Sequence, residues 1–418
     1  MPQRLPKLPT VLSLLIAALG ILLIPGRADA IRIYDDPETG NHFEFTGYLQ
    51  PFFRWVENDC VPLSIGGDCR KVEPPNGFGL QRGRLIFRGR SNDLATYELE
   101  IRSIPDLALL SAKITFDLPF GLELNLGRYR VPFSRQEMVS ESRLQLIDRA
   151  QLIRLTPGRQ LGSTLGWTWT PGLAFAPDAT LRVEGGLFNG ESDKARTPVM
   201  NIDSEFLGSF RAELHPFGLP RVVMEGDVRP VGERHRPLLT LGGHWTYETR
   251  GEQNENYREQ MVGADLTLSW HGVFLYGEGF RRDRDYRNDR VDVDQHAWGY
   301  NLQLGVMVPV GILREHLELA GRVEETHFNI ARNAERQNEI TPDLPGIGPQ
   351  RTDGRQPTRA YVGGLNWYFR GHDLKLQINY THREEIGDWR LSIPNEDGER
   401  ESRSVNNDSV YVQLTYRF

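Results

Sequence analysis

Val410-Tyr411-Val412-Gln413-Leu414-Thr415-Tyr416-Arg417-Phe418, the last nine residues of the chain, alternate without a break. Val410, Val412, Leu414, Tyr416 and Phe418 fall on one face of a β-strand and Tyr411, Gln413, Thr415 and Arg417 on the other, because successive strand side chains point to opposite sides. The terminal strand of a soluble β-sandwich would alternate in the same way. A soluble core does not explain a strand that ends on Phe at the last position, with Tyr two before it and no polar tail to fray into water. A transmembrane barrel does: its outward residues meet lipid, its terminal aromatics sit at the interface, and its inward residues meet a wet lumen.

Working outward, the rest of the chain must say which kind of membrane protein this is. Mean hydropathy is -0.47, and the one long apolar run, Val11 to Pro25, is amino-terminal. Arg4 and Lys7 precede it and Ala28-Asp29-Ala30 follow, the order of a secretory signal peptide spanning residues 1–30, with a mature domain over 31–418. An uncleaved anchor is the weaker alternative, since the run is shorter than the roughly 20 residues that span a bilayer. With no other apolar run of that length, a membrane-resident mature chain has to be a closed barrel.

The formal charge of -7 becomes -9 once Arg4, Lys7, Arg27 and Asp29 are removed, which argues against a nucleic-acid partner. Lysine occurs only at Lys7, Lys71, Lys113, Lys194 and Lys375, so positive charge is nearly all arginine, the planar fork that suits oxyanions. A genome rich in arginine codons gives the same bias. Cys60 and Cys69 flank a turn-rich stretch, and in an exported chain this spacing predicts a local disulfide.

Two-residue alternation recurs near 43–55, 78–90, 94–103, 110–118, 121–129, 160–169, 180–188, 206–214, 237–249, 260–270, 272–281, 297–308, 316–325, 359–369, 373–382 and 410–418, sixteen segments of membrane-crossing length. The connections after even-numbered strands are short turns and most of those after odd-numbered strands are long loops, as an outer-membrane barrel with both termini in the periplasm requires. Two links break this rule: 215–236 is long where a turn is expected, and 104–109 is short where a loop is expected. The fold class expected is therefore all-β, a sixteen-stranded antiparallel barrel with long extracellular loops.

Gly127-Arg128-Tyr129-Arg130-Val131-Pro132-Phe133-Ser134, Asp148-Arg149, Pro157-Gly158-Arg159-Gln160-Leu161-Gly162, Gly186-Leu187-Phe188-Asn189-Gly190, Leu317-Glu318 with Arg322, and Gly364-Leu365-Asn366-Trp367-Tyr368 occur in this order. In these strings the chain resembles the phosphate-selective porin O and P family of outer-membrane channels. The resemblance implies a trimer of sixteen-stranded barrels whose third extracellular loop folds inward to narrow an anion-conducting pore, with outer-membrane lipid and small inorganic anions as partners and no cofactor.

Arg82, Arg84 and Arg88 share one face of the second strand, an arrangement like the family's arginine ladder that can pass an oxyanion from fork to fork. Glu98 and Glu100 on the next strand offer the alternative, plain neutralisation. The loop from Arg130 to Arg159 also carries Arg135, Arg143, Arg149 and Arg154, with Ser134, Ser140 and Ser142 as hydroxyl donors and Asp148 placed to hold Arg149. Arg82, Arg84, Arg88, Arg130, Arg135 and Arg149 are thus the expected constriction and anion-binding residues. The loop has no lysine, unlike family channels with proven selectivity, so phosphate is the favoured solute class only by resemblance. Arg54, Arg102, Lys113, Arg182, Arg211, Arg322 and Lys375 also face the lumen by register, opposed by Glu123, Glu184, Glu213, Asp265, Glu278, Glu318 and Glu324.

No H-E-x-x-H or Cys/His ligand spacing and no nucleophile motif occurs, so neither a metal site nor an enzyme is expected. Asp289, Asp292 and Asp294 read as a solvated acidic loop before a calcium site. A barrel with a blocked lumen acting as adhesin, anchor or enzyme is the competing reading.

Overall fold

In lipid a strand edge finds no water to bond, so strands that cross must all be paired. The computed structural model describes residues 30–36, 38–56, 60–62, 69–71, 76–91, 94–190, 205–252, 255–286, 295–331, 357–386, 391–394, 400–403 and 408–418. Among them no helix is long and apolar enough to cross a membrane. The crossing elements are β1 (Asn41–Val56), β2 (Gly77–Ser91), β3 (Ala95–Ile104), β4 (Ala108–Leu118), β5 (Leu122–Arg130), β6 (Arg159–Trp169), β7 (Thr180–Phe188) and β8 (Leu207–His215). Then follow β9 (Leu238–Glu252), β10 (Glu255–Trp270), β11 (Val273–Tyr286), β12 (Gln295–Met307), β13 (Leu317–Ala331), β14 (Thr358–Arg370), β15 (Leu374–Glu385) and β16 (Ser409–Arg417). Each pairs antiparallel with its sequence neighbours, and β16 pairs with β1, so the sheet closes at sixteen strands.

Every expected strand is present, and the differences lie at the loop ends. β10 begins at Glu255 rather than 260, β11 ends at Tyr286 rather than 281, and β13 ends at Ala331 rather than 325. Above the bilayer both faces are wet, so the ladder continues where alternation in the sequence has stopped. One strand escaped the period-two reading: Ile31–Asp36 pairs with the first residues of β1, Ile31 opposite Phe45, in line with the end of β16.

The two irregular links are real. Residues 105–107 join β3 to β4 directly, whereas 216–237 form a long, ordered connection between β8 and β9 at the turn end. The backbones of Cys60–Pro62 and Cys69–Lys71 pair as a small hairpin within the first loop. The cysteine side chains, residues 1–29 of the expected signal peptide, and Asp289, Asp292 and Asp294 lie outside the described residues.

Alternation sets the two faces. On β12, Leu302, Leu304 and Val306 point outward and exposed while Asn301, Gln303 and Gly305 point inward and buried. With Leu165, Leu241, Val262, Leu275, Leu319 and Leu365 they form an outer apolar surface of the kind that faces lipid. At the turn end aromatics gather: Phe45 packs on Phe87 and on Phe418, and Tyr416 on Phe418.

Phe418 also completes the closure. Its N–H donates to the Gly47 carbonyl at 3.0 Å, the Gly47 N–H donates to the Phe418 carbonyl at 2.9 Å, and Thr46 Oγ1 donates to the same oxygen at 2.5 Å. A side chain at Gly47 has no room, since a Cβ there would lie 2.5 Å from the Arg84 carbonyl oxygen and 2.8 Å from Cζ of Phe418. Gly47→Ala should therefore pry the last strand from the first and destabilise the barrel by roughly 1–3 kcal/mol. Urea unfolding of the refolded barrel would show the shift, and an unchanged midpoint would refute the tight seam.

Candidate constriction site

The residues between β5 and β6, 131–158, form the third loop, and most of it is buried. It turns into the barrel and crosses the lumen, as the sequence led us to expect. Its path is built from short pieces: α1 (Arg135–Met138), whose N-cap Ser134 accepts from the Glu137 N–H, and two 3₁₀ turns, Glu141–Arg143 and Gln151–Leu155. One flank is apolar. Val131, Phe133, Ala150, Leu152, Ile153 and Leu155 cluster with Phe188, Leu207, Met261, Phe280 and Ala297 of β7, β8, β10, β11 and β12.

The other flank is held by polar groups, which is how a loop can be fixed in a lumen that has little apolar surface to offer. Gln145 Nε2 donates to Glu318 at 2.6 Å, the Ile147 N–H to Asn379 at 2.7 Å, and Arg322 to the Asp148 carbonyl at 2.8 Å. Asn366 and Gln377 both donate to the Gln145 carbonyl at 2.8 Å. Lys375, read from register as a lumen cation, is fully buried beneath the loop and donates to the Leu144 carbonyl.

Of the six expected constriction arginines, four converge on one carboxylate, Glu141. Arg84 Nη2 lies 2.8 Å from it, Arg149 Nη1 3.1 Å and Arg82 Nε 3.5 Å, and Tyr48 donates its hydroxyl at 3.1 Å. Arg130 adds its field to the same group while donating to the Met138 carbonyl at 3.3 Å. The other two lie apart: Arg135 stands 3.6 Å from Glu213, and Arg88 pairs with Glu98 at 2.7 Å. Glu100 pairs with Arg159 at 3.0 Å and with Arg84 at 3.5 Å. The face of β2 is therefore both a row of arginines and a neutralised one.

Two expectations about loop polar groups need correction. Asp148 does not hold Arg149; its carboxylate accepts from Gln81 at 2.8 Å and from Arg82 at 3.3 Å. Arg149 is fixed instead by Glu141 and by the carbonyls of Gln136, Glu137 and Val139. The reason is a bulge: the β1 register shifts between Gln50 and Pro51, leaving Gln81 unmatched, so Gln81 and Arg82 both reach Asp148. Ser134 is committed to the helix cap and to Glu278 at 2.9 Å, and Ser140 and Ser142 face each other at 3.2 Å.

Burial by itself would raise the Glu141 pKa, but Arg149, Arg82, Arg84 and Arg130 overcome it and hold the carboxyl well below its usual range. On the loop end of the constriction lies a cavity of about 500 Å³ whose lining includes Arg54, Arg82, Arg149, Arg154, Arg322 and Arg383 against Asp148 and Glu324 as its carboxylates. Arg383 was not picked out from sequence because β15 runs past the point where its alternation ends. Among the described residues one group has donor atoms close enough for a metal, His244, Asp265 and Glu278, within 4.8 Å of one another. Arg211 already supplies the cation there, 2.8 Å from Asp265 and 3.2 Å from His244 Nδ1, so the set does not suit a metal ion.

A closed sixteen-stranded barrel with an outer apolar surface and an inward third loop defines an outer-membrane β-barrel of porin-like architecture. No family model matches the chain, and no curated protein matches it in sequence. Solved structures do match in fold. An outer-membrane protein, OmpT of Vibrio cholerae, superposes with a TM-score of 0.53 at 8% identity, covering 93% of this chain and 100% of that one. An anion-selective porin from Comamonas acidovorans superposes with a TM-score of 0.51 at 13% identity over 90% and 100%. The outer-membrane channel DcaP of Acinetobacter baumannii gives 0.52 at 11% over 92% and 99%.

Glu141→Gln removes the charge that Arg82, Arg84 and Arg149 share, and breaking such a buried network should cost about 3 kcal/mol or more in urea unfolding. The wild-type pH profile has a definite sign. A carboxylate whose folded pKa is depressed contributes fully above its unfolded pKa and loses that contribution only as pH falls through the lower folded value. The Glu141 contribution should thus stay flat from pH 7 to about 4.5 and decline below. A wild-type minus Glu141→Gln difference that fades already between pH 7 and about 5.5 would contradict this assignment.

Proposed function

We propose that the chain is a passive outer-membrane channel for small hydrophilic anions, with phosphate or a related oxyanion as the favoured solute. The observation that carries this reading is the arginine-lined cavity above the third loop, six guanidinium groups against two carboxylates. A net positive lining next to a narrow, low-dielectric passage lowers the barrier for anions and raises it for cations. Arg82 and Arg149 line both the cavity and the Glu141 cluster, so an anion leaving the cavity meets guanidinium groups already held in place. Glu141 keeps the passage from becoming a trap: by neutralising part of the cluster it leaves a site that attracts an anion and still releases it.

The resemblance to the phosphate-selective porins O and P supports the solute class, removal of residues 1–30 on export, and a trimer of barrels. The likeness in fold to an anion-selective porin is consistent with it. A second reading, a barrel with a blocked lumen, is favoured by one observation: the third loop and the 216–237 segment meet inside the barrel.

Reconstituted protein in planar bilayers should give ohmic channels whose reversal potential in a salt gradient reports anion preference. Arg149→Ala should lower the anion-to-cation permeability ratio about twofold or more, and Arg281→Ala, a half-exposed arginine paired with Asp283, should leave it unchanged. Cation preference would refute the selectivity. Absence of channels, together with no liposome swelling in small sugars or phosphate, would favour the blocked barrel.

A further inference from the structure

The connection between β8 and β9, residues 216–237, sits where a porin has a short turn, and its middle is buried. It is built as a strap across the turn end. Asp227 accepts from the Gly272 N–H at 2.8 Å and is paired with Arg229 at 2.6 Å, which fixes the strap to the β10–β11 turn. Arg229 donates in turn to the carbonyls of Ser269 and Arg236, and Arg234 to that of Arg314.

At its inner tip is Glu225, 2% exposed. Its carboxylate accepts three hydrogen bonds, two of them from the third loop: Gln136 Nε2 at 2.8 Å and the Gln145 N–H at 2.9 Å. The third comes from Gln303 of the β12 wall at 2.9 Å. The Glu225 N–H donates to the Arg143 carbonyl at 3.1 Å, and His372 in the β14–β15 turn lies 2.9 Å from the Glu225 carbonyl. Gln136 also accepts from the Ala150 N–H at 2.8 Å, so one glutamine ties the strap to both halves of the loop. Arg149, next to Ala150, donates to the carbonyl of that same Gln136. A carboxylate in this place is chemically specific, because every group it faces there is a donor.

We propose that the 216–237 segment is a strut that holds the third loop from the turn side, with Glu225 as the positioning residue for Arg149 and hence for the constriction; the proposal rests on the channel reading above. On one side of the strut a cavity of about 940 Å³ lies between it and wall residues of β7 and β9 to β11, reaching up to Arg135.

Single-channel recording should compare wild type, Glu225→Ala, Glu225→Gln and the exchange Glu225→Gln/Gln136→Glu. Glu225→Ala should raise open-channel noise and change conductance by about twofold or more, as a loop freed on one side would. Glu225→Gln should do so more weakly. The exchange should restore the wild-type trace, because a carboxylate at 136 can still accept from Ala150 while accepting from the new amide. Wild-type conductance and noise in Glu225→Ala would overturn the strut, and so would a folded exchange variant that restores nothing. If Glu225→Ala does not fold, Glu225→Gln and the exchange decide the matter.

One arm does not depend on conduction. The variant Arg143→Cys/Met224→Cys, in a Cys60→Ser/Cys69→Ser background, should be joined across positions 143 and 224 by a short bis-maleimide in intact outer membranes, read by peptide mass spectrometry. No cross-link would overturn the strut. A cross-link in a protein that forms no channels would keep the strut and refute the channel.

Discussion

Everything in this structure depends on the requirement that no strand edge face hydrocarbon. A sheet of sixteen strands satisfies it by bonding β16 to β1, and the seam is finished by the last residue, whose backbone exchanges two hydrogen bonds with Gly47. The seam is also the place where packing is least forgiving, because the Phe418 ring lies over a position that only glycine can occupy. Once closed, the barrel gives its lumen a fixed set of inward positions, and most of those positions are polar because alternation assigns most of the apolar ones to lipid.

A polar lumen poses its own problem, since a loop entering it must replace the water it displaces with hydrogen bonds. The third loop solves this asymmetrically. Its apolar half packs on β7, β8 and β10 to β12, where aromatic and aliphatic side chains reach inward, and its polar half bonds to amides on β12, β14 and β15. Glu141 then fixes the free edge by bringing two guanidinium groups from β2 and one from the loop itself onto one carboxylate. Cationic side chains that would repel one another are held together by the one negative charge at their centre, and cations beyond that number remain to face the cavity.

The strut from 216–237 belongs to the same logic. It approaches from the opposite end and offers a carboxylate to the underside of the loop, where the available groups are all donors. The loop is thus gripped from above by arginines on an acid and from below by an acid on amides, two arrangements of opposite polarity that hold it at one depth in the lumen.

Strand number, strand location and the two faces were legible in the sequence, because membrane crossing forces a period of two on every spanning segment and the interface forces aromatics to its ends. The inward third loop and its arginines were legible from the family-like strings around 127–162. What the sequence did not reveal was long-range and polar. Glu141 is one acid among many until the fold brings Arg82, Arg84 and Arg149 to it; the bulge at Gln81 redirects Asp148; and Glu225 lies in a link that looked merely too long. Hydrogen-bonded charges carry no periodic signal, since their partners are set by which strands become neighbours around a closed barrel. The sixteen alternating segments, closed by Val410 to Phe418, determined the architecture, and only the tertiary structure decided which carboxylate each arginine would meet.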